Sequence, residues 1–298
     1  MFLGDYGEKW IDADGVRTRY FESGEGRPVV LVHGGTMGDA SGGANAEDWD
    51  RNFSDLAGRF RVITLDRVGQ GYTDNPARDE DWTMAGAVRH LVAFLRALGG
   101  GPFNLVGHSR GGYVVARVAL DYPALVESCV LVDSNTASPG HGRNEIVFAL
   151  NPHKAGTLEA SRWTYEKYSH KTDHVTDEWL AMKQKIAEHP KNRAAIARMK
   201  DEGLLHTLLL PELVADKEEF FARIERDGFR RPVLIFWGYN DPTAPLDLGL
   251  KLYGMIAARQ SRAQFHIVNE AGHHSFRERA AEFNRVLTEF LEGVADGN

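Results

Sequence analysis

The pentapeptide Gly107-His108-Ser109-Arg110-Gly111 constrains this chain more than any other feature, because an apolar run, residues 103–106, precedes it and a helix-like stretch, residues 113–120, follows it. A G-x-S-x-G sequence between a strand and a helix demands a turn so tight that the serine is held at a strained backbone angle. The residues two before and two after must then be small, and Gly107 and Gly111 meet that demand. Such a turn lifts the Ser109 hydroxyl clear of the sheet end. It also sets Ser109 at a helix N-terminus, where unpaired N–H groups and the positive dipole end favour developing negative charge. Five-residue matches of this kind recur by chance in many chains. The flanking strand and helix, and the partners found downstream, give this one its weight.

The rest of the chain supplies the sheet that such a turn needs. Asp14-Gly15 between residues 10–12 and 16–21 signals a hairpin. Residues 28–32 (PVVLV) are apolar throughout, as a strand covered on both faces would be. Further strands are expected at 61–65, 130–132, 232–237 and 263–268, alternating with helices at 53–60, 83–98 and 275–291. In the second of these helices, Val88, Leu91, Val92 and Leu95 share one face, and Thr83 stands at its start. This alternation predicts an α/β fold with a mostly parallel, doubly wound sheet. Between residues 136 and 226 the pattern turns helical and mixed. We therefore expect a core from residues 1–135 and 227–298 and a helical lid from 136–226, whose aromatic and methionine residues form mainly the lid's own core.

Composition sets the outer limits. At 298 residues, with 43% hydrophobic and 26% charged residues, the chain suits one large domain with an insertion. A net charge of −7 argues against general attraction to nucleic acid or anionic membranes. The N-terminal MFLGDYGEKW carries no apolar run of signal length, and no stretch approaches a membrane span, so a cytoplasmic location is expected. Cys129, the single cysteine, reads as a buried strand residue. The histidines form no HExxH, there are no paired cysteines, and the glycine-rich stretch 38–46 lacks the Lys-Ser/Thr of a phosphate loop. Neither a metal nor another cofactor is expected; the expected partner is a small-molecule substrate, and a homodimer is compatible with the chain.

A serine needs a base to remove its proton, and the base needs an orienting acid. Asp241, in GYNDP after residues 232–237, and His273, in AGHH after 263–268, both follow strand ends, where open α/β sheets place their sites. The chain order Ser109, Asp241, His273 gives nucleophile, acid and base. Asp133, which also ends a strand, is the rival acid. The expected oxyanion donors are the backbone N–H groups of Arg110 and of Gly35, in the loop His33-Gly34-Gly35-Thr36 after the strand 28–32. His33 reads as a structural histidine bonding its own loop. Gly34, His108 and His274 adjoin these groups and are candidates for lining the pocket.

With HGG at His33, GHSRGG at Gly107, GYNDP at Gly238 and AGHH at Ala271 in place, the chain resembles the α/β-hydrolase superfamily over nearly its whole length. Within it the chain looks most like the meta-cleavage product hydrolases, on the stretches FWGYNDPTAPLDLGLKL at 236–252, VTDE at 175–178 and FNRV at 283–286. The resemblance implies hydrolysis of a carbon–carbon bond in a 2-hydroxy-6-oxo-dienoate, by ketonisation and then attack at the remote carbonyl. It also implies a lid cation for the substrate carboxylate, which would fall near Lys183; because a buried carboxylate needs a cation or several donors, Arg110 is a second candidate. His108 stands where that subfamily usually has Asn, His274 where it has an aromatic residue, and the loop after Gly35 runs on through extra residues to Trp49. These departures bear on the scissile bond. A carboxylesterase with the same three residues is the alternative, and a ligand receptor with vestigial catalysis is an alternative of another class.

Overall fold

Asp14 and Gly15 both take positive φ, 57° and 84°. Paired positive φ matches the right-handed twist of two flanking strands, so the chain turns tightly between β1 (Lys9–Ala13) and β2 (Val16–Ser23). The computed structural model describes residues 3–39 and 43–296, so the stretch 38–46 is seen only at its two ends. After the hairpin come β3 (Pro28–Val32), β4 (Arg61–Leu65), β5 (Phe103–His108), β6 (Val126–Val132), β7 (Val233–Gly238) and β8 (Ala263–Val268). Among the described residues these form one sheet in the order β1-β2-β4-β3-β5-β6-β7-β8. β2 runs antiparallel to its neighbours, and all pairs from β4 to β8 are parallel.

Period-two alternation explains the layers. Val30, Val32, Leu105, Cys129 and Ile235 face one apolar cluster, while Val29, Leu31, Val106, Val130 and Leu234 face the other. Helices cover both faces, so the central strands are apolar throughout; each fully buried Val or Leu contributes about 1.5–3 kcal/mol. α1 (Asp50–Ala57) covers the second face; α2 (Met84–Leu98) and α3 (Arg110–Asp121) cover the first. Thr83 caps α2 by accepting from the Gly86 N–H.

The insertion contains α4 (Asn144–Ala149), α5 (Leu158–Tyr168), α6 (Asp177–Ala187) and α7 (Pro190–Ile196), then two π-helical turns and α8 (Leu210–Asp227). Tyr165, Val175, Trp179 and Leu180 form a small cluster of their own with Met182 beside it. α8 reaches further. Its Phe220 and Ile224 are buried in the same cluster as α3, with Phe220 5.1 Å from Tyr113. The segment expected as lid therefore ends in a helix anchored on the core.

α9 (Leu246–Ala257) joins α2, α3 and α8 on their face of the sheet. The last helix differs from expectation. It is split into α10 (Ser275–Glu278) and α11 (Ala280–Asp296), with Arg279 at φ −124° and ψ 47° between them. α10 is pinned to the loop before it, because the Glu278 carboxylate accepts from the N–H groups of Gly272, His170 and Lys171. Among the described residues, no helix is long and apolar enough to cross a membrane.

Candidate active site

Ser109 sits between β5 and α3 at φ 52° and ψ −122°, a conformation costing about 1–3 kcal/mol that its surroundings must impose. They do so by close approach. A Cβ on Gly107 would lie 2.3 Å from the Gly111 carbonyl oxygen, and one on Gly111 would lie 2.4 Å from that of His33. The Ser109 N–H donates to the Val132 carbonyl at 2.9 Å, and the Ser134 hydroxyl donates to the Ser109 carbonyl at 2.5 Å. The turn is thus tied to the end of β6.

The loops after β7 and β8 bring Asp241 and His273 to the serine. His273 Nε2 is 3.1 Å from Ser109 Oγ, and its Nδ1 is 2.7 Å from Asp241 Oδ2. All three side chains are buried. Asp241 Oδ1 accepts from the Thr243 N–H at 2.7 Å, the Thr243 hydroxyl at 2.9 Å and the Ala244 N–H at 2.8 Å, so the carboxylate cannot turn. With Nδ1–H donating to Asp241, Nε2 is left as an acceptor aimed at the serine hydroxyl. The His273 N–H donates to the Tyr168 carbonyl at 2.7 Å, so α5 helps to position this histidine.

Asp133 has a different place. One of its oxygens accepts from the Gly238 N–H at 2.7 Å, and the other accepts from the N–H and hydroxyl of Ser275. It joins the ends of β6, β7 and α10. Burial and the nearby Asp241 charge push its pKa well above the usual carboxylate range, against the pull of these donors.

Gly34 lies against the serine, where a Cβ would sit 2.9 Å from Ser109 Cβ, while Gly35 packs on Ala44 and Gln70. The Gly34 carbonyl accepts from His33 Nδ1 at 2.9 Å, Arg67 Nη2 at 2.8 Å and Gln70 Nε2 at 3.2 Å. In a trans peptide the C=O and N–H point oppositely, so these three donors direct the Gly35 N–H away from themselves. Gly35 and Arg110 both line the cavity beside Ser109. Arg110 opens α3, where the N–H has no acceptor within the helix. His33 is buried, accepts the Arg67 N–H at 3.0 Å through Nε2, and is held neutral by burial and then by Arg67. Arg67 and Gln70 were not singled out as site residues from sequence; their only signal is the DRVGQG stretch at the end of β4.

A cavity of about 460 Å³ opens on Ser109 and is bounded by core residues and by Thr164, Tyr165, Tyr168, Met199, Leu205 and Leu210 of the insertion. His108 and His274 both line it. His108 lies within hydrogen-bond distance of the His273 carbonyl, Nε2 to O 2.8 Å, which makes Nε2–H the donor. Burial, then the neighbouring histidines, push His108 and His274 well below the ordinary imidazole pKa, so both are neutral. His274 Nδ1 is buried without a hydrogen-bond partner among the described residues.

Lys183 departs from expectation. Its ammonium is buried against Asp48, donates to the Gly43 carbonyl at 3.1 Å, and stacks 4.7 Å from the Trp179 ring. Asp48 borders the cavity and Lys183 does not. A cation so engaged holds the loop after Gly35 to α6 and is not free to receive a substrate anion. Among the described residues, no three His, Cys, Asp or Glu side chains are grouped to hold a metal ion.

The arrangement has the residue types for acyl transfer to water: a serine hydroxyl within reach of an imidazole, a carboxylate bonded to that imidazole, and a cavity beside them. Comparisons with known proteins agree with that chemistry. The chain is 27% identical to the 2-hydroxy-6-oxo-6-(2'-aminophenyl)hexa-2,4-dienoic acid hydrolase of Metapseudomonas resinovorans, over 98% of this chain and 93% of that one. It is 29% identical to the 2-hydroxymuconate semialdehyde hydrolase of Pseudomonas sp. strain CF600, over 94% and 92%. Among solved structures, a meta-cleavage product hydrolase from Pseudomonas fluorescens IP01 complexed with acetates superposes with a TM-score of 0.77 at 25% identity, over 96% of this chain and 97% of that one. The profile of the α/β hydrolase fold family matches residues 27–280, and the chain belongs to that family.

Proposed function

We propose that this chain is a serine hydrolase that cleaves a carbon–carbon bond in a 2-hydroxy-6-oxo-dienoate, the ring-fission product of an aromatic catabolite. The observation that carries the reading is the Ser109–His273–Asp241 hydrogen-bond chain opening on a cavity roofed by the insertion, in a chain whose relatives are named for that reaction. The dienol is first ketonised, which makes the carbon between the two carbonyl halves a leaving group. Ser109 Oγ then attacks the remote carbonyl while His273 Nε2 takes its proton. The Gly35 and Arg110 N–H groups receive the oxyanion. His273 returns the proton as the bond breaks, releasing 2-hydroxydienoate, and water activated by the same histidine frees the acid. Asp241 holds the tautomer throughout and stabilises the imidazolium.

The residues from 136 to 226 serve as the lid, since their side chains complete the cavity wall. A reducing cytoplasmic compartment suits a chain whose single cysteine is a buried, unpaired strand residue.

The test is spectroscopic, because such substrates are coloured dienolates that bleach on cleavage. The enzyme should bleach 2-hydroxy-6-oxo-6-phenylhexa-2,4-dienoate with a far higher kcat/KM than it shows for a neutral nitrophenyl ester of similar size. Ser109→Ala and His273→Ala should each lower turnover by several orders of magnitude with the fold intact. A better ester substrate, with no ring-fission product bleached, would replace this reading by a carboxylesterase. Failure of a serine-directed phosphonate to label Ser109 would replace it by a receptor.

A further inference from the structure

The proposed substrate carries a carboxylate, and a buried anion without a partner is very costly, so the cavity must offer a cation or several donors. Lys183 is committed to Asp48 and Gly43. Lys200 borders the cavity but is exposed, where water screens its charge. His108 and His274 are neutral. Arg110 is different: it lines the cavity, and its Nη1 is buried with no hydrogen-bond partner among the described residues. Guanidinium donors are seldom left in that state, because burial strips their water and nothing replaces it. Burial pulls the Arg110 pKa down, while Glu145 and Asp39, which border the same cavity, act to hold its charge.

From the vacant Nη1 at the cavity wall and the engagement of Lys183 by Asp48, we infer that Arg110 anchors the substrate carboxylate through its guanidinium. This inference deepens the proposed function and rests on it. Arg110 directly follows the nucleophile, so the carboxylate end lies within one arginine side chain of Ser109 and the remote carbonyl can reach Oγ. One residue therefore contributes its N–H to the oxyanion and its side chain to the acid end. Its planar fork matches a carboxylate, which a lysine ammonium does not.

Binding rather than turnover tests this, so that its failure is separable from failure of the proposed reaction. In the Ser109→Ala background, calorimetry would compare sorbate, a stable dienoate, with sorbyl alcohol, its neutral counterpart. Sorbate should bind more tightly. Arg110→Met should lower the sorbate preference by about 10- to 100-fold, the range for losing a charged hydrogen-bond partner. Arg110→Lys should recover part of it, and retained alcohol binding would report an intact pocket. Equal binding of sorbate and alcohol in the parent would overturn the inference, as would an unchanged preference in Arg110→Met. Should Arg110→Met fail to fold, the parent comparison and Arg110→Lys still decide: an undiminished preference in the lysine variant would show that the fork is not the anchor.

Discussion

Replacing Asp241 with asparagine is the sharpest perturbation of the hydrogen-bond chain, because the structure dictates which way the new amide must turn. Asp241 Oδ1 accepts three hydrogen bonds, from the Thr243 N–H, the Thr243 hydroxyl and the Ala244 N–H. An amide nitrogen there would confront donors and forfeit bonds worth about 1 kcal/mol each. The nitrogen therefore takes the place of Oδ2, 2.7 Å from His273 Nδ1. Two donors then meet unless the imidazole moves its proton to Nε2. In that tautomer Nε2 donates to Ser109 Oγ and can no longer accept from it. The same substitution in the protease triad lowers turnover about 10⁴-fold, and we expect a similar loss here, about 5.5 kcal/mol in the barrier. The assay is dienolate bleaching at saturating substrate, with folding checked by circular dichroism. Asp133→Asn is the control. It disturbs bonds to Gly238 and Ser275, so it should cost about 1–3 kcal/mol of stability but less than about 10-fold in turnover. A greater turnover loss in Asp133→Asn than in Asp241→Asn would refute the reasoning.

Three further outcomes are expected. Gly111→Ala places a Cβ 2.4 Å from the fixed His33 carbonyl and should destabilise the fold by about 3 kcal/mol or more; urea melts within 0.5 kcal/mol of wild type would show that the elbow yields. Arg67→Met removes donors to the Gly34 and Gly35 carbonyls and should lower kcat by about 10²-fold with little change in KM, since loosening an oxyanion donor acts on the transition state; a change confined to KM would contradict this. Stability should fall as pH drops below about 6.5, because burial keeps His33, His90, His108, His174 and His274 neutral when folded while the unfolded chain protonates them. With His90 pulled down to about 3 and His174 to about 2, each loses up to about 1.4 kcal/mol per pH unit through that window. Denaturant midpoints that stay level between pH 7 and pH 5 would contradict it.

What the sequence revealed and what it hid follow from the range of the interactions. The elbow was legible because its constraint is local: two glycines and a serine fall within five residues, and strand and helix patterns flank them. The strands around Asp241 and His273 were legible for the same reason, their apolar runs ending at residues with acid–base chemistry. The engagement of Lys183 was hidden because its partner, Asp48, lies 135 positions away. A helical pattern shows that a lysine is on the lid but not which carboxylate occupies it. The roles of Arg67 and Gln70 were hidden likewise, since only the folded loop brings their side chains to the carbonyls of Gly34 and Gly35. The continuous helix expected at 275–291 failed on a tertiary detail, the Glu278 carboxylate gathering three N–H groups from two other loops.

His108 and His274, two departures from the resembling subfamily, are neighbours in space, with ring centroids 5.4 Å apart. Each also approaches the base, His108 at 4.8 Å and His274 at 5.7 Å from the His273 ring. Basic groups in such a row could compete for the proton that the base must take. Burial prevents the competition, because charging either flanking ring would leave a desolvated cation with no carboxylate bonded to it, whereas His273 has Asp241 at 2.7 Å. The His108 Nε2–H also donates to the His273 carbonyl at 2.8 Å, fixing the backbone of the base. That bond needs a neutral or charged imidazole with its proton on Nε2, and in the neutral form it leaves Nδ1 as an acceptor facing Gly34. His108 and His274 thus stay polar and uncharged beside Ser109.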